Sequence, residues 1–207
     1  MQYFAWGTDR PDGMARRREN MESHWDFIAR YDDRLIARGP VLDIDSPGDI
    51  LGSIHIAELK DDDEARHFVH DEPFAVAGLF ADIVLTRFDL ELGRTQFAFE
   101  SDPSSPRFFV YCPATPGAPA VEPADIAAAH QAYCRDFDKH AVCRGSLLTM
   151  EGNWAGRVFF LEMADRAAVE NFLANDPAAQ AGLYAETRIH RWTMGGADNI
   201  RAAGLLK

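Results

Sequence analysis

"HDEPFAVAGLF" occupies residues 70–80 and "NDPAAQAGLY" residues 175–184. Each sets a carboxylate directly before a proline, followed by Ala-Gly-Leu and an aromatic ring. The likeness extends well beyond these stretches. Displacing the chain against itself by 104 residues aligns 52–88 with 156–192, and eleven of the 37 pairs are identical. They are Gly52/Gly156, Glu58/Glu162, Asp61/Asp165, Phe68/Phe172, Pro73/Pro177, Ala75/Ala179, Ala77/Ala181, Gly78/Gly182, Leu79/Leu183, Ala81/Ala185 and Arg87/Arg191. Unrelated segments of this length share roughly two or three. Upstream, His24 stands fifteen residues before Gly39 and His130 fifteen before Gly145, at a displacement of 106. The two extra residues of the first half fall in the turn-rich "DIDSPGD", where a hairpin loop absorbs them. The chain is an internal duplication.

Both halves read as the same string of elements. In the first, "YFAW" is an apolar strand, and "PDGMARRRENMESHWDFIARYDDRLIARG" reads as one long helix from a proline to Gly39. "PVLDI" and "LGSIHIAEL" alternate as hairpin strands. "DDDEARHFVH" is a second helix with aspartates at its positive end, and "DIVLTRFDLEL" is the last strand. The second half gives "RFFVYC", a helix from about Pro123 to Val142, "SLLTM", "GRVFFLEM", "DRAAVENFLAN" and "ETRIHRWTM". The order is βαββαβ twice, a ferredoxin-like split arrangement of the α+β class.

Such a unit has helices on one sheet face only, and its other apolar face needs a cover. Two units packed sheet to sheet meet that need, so an intrachain pseudo-dimeric α+β barrel is expected, open to further homo-oligomerisation. The domains expected are 1–93 and 107–196, with a linker over 94–106 and a C-terminal tail over 197–207. Proline residues 73 and 177 end one helix and begin a short turn. Gly78 and Gly182 serve close packing or a positive φ there.

The net charge of −12 argues against nucleic acid as a partner. No apolar run reaches the ~20 residues of a membrane span, and no stretch has signal-peptide form, so a cytoplasmic protein is expected. Cys112, Cys134 and Cys143 form no CxxC pair and read as buried thiols.

"YFAW", His24 on the first helix, "RGPVL", "GSIHIAEL" and "HDEPFAVAGLF" together resemble the YCII-related family, within the dimeric α+β barrel superfamily. The second half departs further, with "RGSLL" and "AGRVFFLEM", yet retains His130 and Asp176-Pro177. The resemblance implies a cofactor-independent enzyme, a lyase or isomerase. Its substrate would be a small organic molecule, anionic or aromatic, undergoing dehydrohalogenation or a related elimination or isomerisation. It also implies a catalytic histidine–carboxylate pair. His24 is the candidate base, with Glu72 as its carboxylate and Asp71 as the neighbouring alternative. A non-catalytic ligand-binding or structural protein is the alternative.

His130 with Asp176 is a candidate second site, more prone to have drifted into a structural role. Arg16 and Arg17 are candidate substrate-binding cations. Arg157 stands where the first half has Ser53, on a core strand, and is expected to point outward or to be paired. His67, His70 and Asp71 have helical metal-site spacing, but a third strong ligand is lacking, and no metal is expected. No histidine context selects a haem iron.

Overall fold

The computed structural model describes residues 1–205. Its contacts divide the chain into a first unit, Met1–Phe88 with the described residues from Trp192 on, and a second unit, Asp89–Arg191.

In the first unit, β1 (Gln2–Asp9) lies between β3 (Ile50–Glu58) and β4 (Phe80–Leu90), antiparallel to both, and β2 (Leu35–Leu42) flanks β3. The sheet order β4-β1-β3-β2 is that of a ferredoxin-like unit. Its helices are α1 (Met14–Glu19), α2 (Met21–Ala29), α3 (Asp62–His70) and α4 (Pro73–Val76). The second unit repeats the pattern. There β5 (Arg107–Pro113) lies between β7 (Trp154–Glu162) and β8 (Arg188–Trp192), and β6 (Ala141–Leu148) flanks β7. Its helices are α5 (Ala124–Arg135), α6 (Arg166–Ala174) and α7 (Pro177–Gln180). A last helix, α8 (Ala197–Ala202), belongs to the first unit.

The identities in the duplication have structural causes. Asp61 and Asp165 cap α3 and α6, accepting from the backbone N–H of Glu64 and Ala168 at 2.9 and 2.8 Å. Glu72 and Asp176 cap α4 and α7, with proline at the first helical position. Gly78 and Gly182 hold φ of +67° and +69°, and an added Cβ there meets no neighbour. Backbone conformation, rather than close packing, requires these glycines.

The single long helix expected before Gly39 does not form. It breaks at Asn20, and α2 ends at Ala29. Asp32–Arg34 make one 3-10 turn, and Leu35, Ile36 and Ala37 open a strand in which all three are buried. Contiguous burial on both faces of a strand favours this over a helix, which would expose part of such a run. The second half behaves alike: α5 stops at Arg135 rather than Val142, and β6 starts at Ala141. All three cysteines are buried and free. No helix among the described residues is long and apolar enough to cross a membrane.

The chain beyond β8 packs back on the first unit. Gly195 donates its N–H to the Arg38 carbonyl at 2.8 Å, and Ile200 and Leu205 pack with Leu42 and Ile50. A Cβ on Gly39 would lie 2.0 Å from the Thr193 carbonyl oxygen, so only glycine allows this approach. The expected tail over 197–207 thus includes α8, while residues 206 and 207 lie outside the described residues.

Candidate functional site

Helix α2 carries His24 onto the sheet, and the α4 cap brings Glu72 to meet it. His24 Nδ1 lies 2.9 Å from Glu72 Oε2, with the two residues 7% and 4% exposed. The Glu72 carboxylate also accepts the backbone N–H groups of Phe74 (3.1 Å) and Ala75 (3.2 Å). These two donors claim acceptor lone pairs and favour the ionised form, so His24 donates through Nδ1 and keeps a lone pair on Nε2. The Phe74 ring stacks on the imidazole at 4.0 Å between centroids, fixing its plane. Nε2 makes no hydrogen bond among the described residues, and His24 lines a cleft with about 40 Å³ of room inside it.

The cleft is walled by Arg17, Trp25, Arg38, Ser53, His55 and the segment Gly195–Ile200, with other apolar residues. Arg17 is buried and bidentate to Asp9 at 2.7 Å on both arms, and its Nη1 donates to Ser53 Oγ at 3.0 Å. Arg38 pairs with Asp32 at 3.0 Å. Burial pushes His24 down to about 3, and the guanidinium groups of Arg17 and Arg38 push the same way. Burial raises Glu72, against the pull of His55, its two backbone donors and Arg17. Burial thus holds the imidazole neutral, while the two backbone donors on Glu72 favour its carboxylate form against burial.

The other sequence candidates sit elsewhere. Asp71 is exposed at the end of α3, its carboxylate 3.0 Å from His67 Nδ1 rather than near His24. His70 is exposed, and among the described residues no group of three His, Cys, Asp or Glu side chains is placed to hold a metal. Arg16 donates to the Gly78 carbonyl at 2.9 Å and does not line the cleft. Sequence reasoning missed His55, Arg38 and the C-terminal wall. The signal for His55 was the strand period: Ser53 and His55 alternate with Ile54 and Ile56, so they share one face.

The second unit brings His130 and Asp176 together at 2.7 Å, both fully buried. This site is closed. Cys134 Sγ lies 3.4 Å from His130 Nε2, and Glu91 Oε2 3.6 Å from it. Arg157, at the position of Ser53, fills the remaining space, bonded to Glu91 at 3.1 Å and to both Glu122 oxygens at 2.6 and 2.7 Å. It is paired rather than outward. Burial by itself would lower His130, but Asp176, Cys134 and Glu91 overcome it and raise it to about 11. A locked imidazolium in an ion-pair network has no lone pair to offer.

A YCII-related domain model matches residues 1–89 and again 107–193. The chain belongs to that family, as a tandem pair of its domains. Among solved structures, 5-chloro-2-hydroxyhydroquinone dehydrochlorinase from Burkholderia phenoliruptrix AC1100 is 29% identical. It covers 43% of this chain and 94% of its own, with a TM-score of 0.41. Chlorite dismutase from Candidatus Nitrospira defluvii is 9% identical over 100% of this chain and 95% of its own, at 0.58. A heme-binding protein from Thermus thermophilus is 13% identical over 98% and 94%, at 0.56. The last two share the fold alone. None of the curated proteins matches the chain.

The haem named for one neighbour does not fit here. The room inside the cleft is about 40 Å³, far short of a tetrapyrrole with its propionates. His130 is enclosed on both ring nitrogens. The family match ends at residue 193, so Gly195, Gly196 and Ile200 of the cleft wall come from chain outside it.

Proposed function

We propose that the first unit is a cofactor-independent acid–base catalyst of small-molecule chemistry, and that the second unit is a catalytically silent copy. The reaction is proton abstraction beside a carbonyl or ring hydroxyl, completed by elimination, as in dehydrohalogenation, or by isomerisation. His24 is the base through Nε2. Glu72 is a positioning residue that holds the tautomer and stabilises the imidazolium once it forms. The observation that carries this reading is the 2.9 Å His24–Glu72 bond with Nε2 left to the cleft.

Dehydrohalogenation and isomerisation share a first step that needs no redox partner. The C–H proton moves to Nε2, and its electron pair enters the carbon framework. A halide then departs from the adjacent carbon, or the imidazolium returns the proton elsewhere. A neutral histidine at pH 7 is the right reactant form for this step. The test is solvent deuterium incorporation into a panel of carbonyl and hydroxyaromatic compounds, comparing the protein with His24→Ala. Loss of exchange in the variant is expected. A protein that binds members of the panel without exchanging any is a ligand carrier instead.

A further inference from the structure

His55 is buried at 8% exposure on β3, yet its ring makes no hydrogen bond among the described residues. The residue lines two voids, the cleft it shares with His24 and a smaller one of about 20 Å³ lined also by Glu72 and Phe68. Its ring lies 5.5 Å from that of His24, tilted by 57°, and edge-on to Phe68 at 5.6 Å. A polar ring held this far from water without a partner is costly unless a ligand supplies one. The fold does not demand it: the matched position of the second unit is Phe159, fully buried.

We propose that His55 is a second catalytic residue of the His24 site, a neutral hydrogen-bond donor to the carbonyl or phenolic oxygen of the substrate. This deepens the function proposed above and rests on it. It assigns the substrate class as small molecules with an oxygen conjugated to the carbon that loses its proton. As His24 Nε2 takes the proton, the C–H pair forms a C=C bond and the carbonyl π pair moves to oxygen, which accepts the N–H of His55. The Ser53 hydroxyl, two residues along the same strand face, accepts from Arg17 and keeps its own hydrogen to donate beside it. For isomerisation, the proton returns from His24 to a different carbon and the oxyanion collapses to the carbonyl, so nothing else is consumed.

A neutral donor suits this task. An imidazolium would hand over its proton and give a weakly acidic bystander in exchange, whereas a neutral ring stabilises the oxyanion without titrating. Burial lowers His55 to about 3, and His24, Arg38 and Arg17 add to that while Glu72 opposes. The two guanidinium groups in the cleft wall favour negative charge on the bound oxygen.

The test uses 4-nitrophenol, whose ionised form is visible by absorbance, bound to the full chain. Its apparent pKa is expected to fall on binding. His55→Phe should reverse that fall by about one unit or more, a tenfold change in the ionisation constant. His55→Gln, which keeps a donor, should retain part of it, and also guards against misfolding of the phenyl variant. His24→Ala should leave the shift in place. An equal shift in His55→Phe and wild type, or no bound shift at all, overturns the assignment. If His24→Ala abolishes deuterium exchange while the shift ignores His55, this inference fails alone. If the shift depends on His55 while His24→Ala still exchanges, the general-base reading fails instead.

Discussion

Glu72 does two jobs with one carboxylate, and they can be separated. As a cap it accepts from Phe74 and Ala75, and as a positioning group it accepts from His24 Nδ1. Glu72→Gln keeps an oxygen for the backbone but offers an NH₂ to Nδ1. The imidazole then turns to its other tautomer, with hydrogen on Nε2, and the base is lost. Exchange should fall by on the order of 10²–10⁴, while helix content and thermal midpoint change little. Nitrogen NMR of histidine-labelled protein reads the tautomer directly. An unchanged rate with an inverted tautomer would show that Nε2 is not the base.

At the scale of elements, the same strand position makes one copy open and the other closed. Ser53 on β3 leaves room for a cleft, whereas Arg157 on β7 draws in Glu91 from the end of β4 and Glu122 from the loop before α5. Arg157→Ser should therefore not restore a site cheaply. It strands the Glu122 carboxylate, at 8% side-chain exposure, and leaves Glu91 to His130, Arg144 and Ser146, and should cost about 3–5 kcal/mol by urea unfolding. A loss below about 1 kcal/mol would mean that water reaches Glu91 and Glu122 and that the network is not a plug.

Much of this was legible in the chain. The element order followed from the duplication, in which a cap and a proline leave a local signature, while the His24–Glu72 and His130–Asp176 pairings were implied by the family resemblance. Helix ends were not legible: Leu35-Ile36-Ala37 continues a helical pattern as readily as it starts a doubly buried strand. Nor was the cleft wall at Gly195–Ile200, since long-range contacts leave no periodic trace.

For the whole molecule, the two copies pull stability in opposite directions as pH changes. His24 and His55 are each lowered from 6.5 to about 3, so between those values the unfolded chain binds protons that the folded chain refuses. Their contribution is complete above pH 6.5 and is lost as pH falls, by up to about 1.4 kcal/mol per pH unit for each histidine. Glu72, raised, offsets part of this by taking its proton early in the folded state. His130 is raised to about 11, so its contribution is complete below pH 6.5 and is lost as pH rises toward 11. Urea midpoints across pH should peak near neutrality. His55→Gln should flatten the acid side and His130→Gln the alkaline side, and identical profiles in all three proteins would refute this division.

One imidazole in the first copy is proposed to move a substrate proton, and deuterium exchange reads that event before any product forms. Wild type, His24→Ala and His130→Ala should be compared on a carbonyl or hydroxyaromatic compound that the wild type exchanges. Exchange is expected to disappear with His24 and to survive the loss of His130 in whatever fraction stays folded. Equal exchange by wild type and His24→Ala would contradict that role for His24.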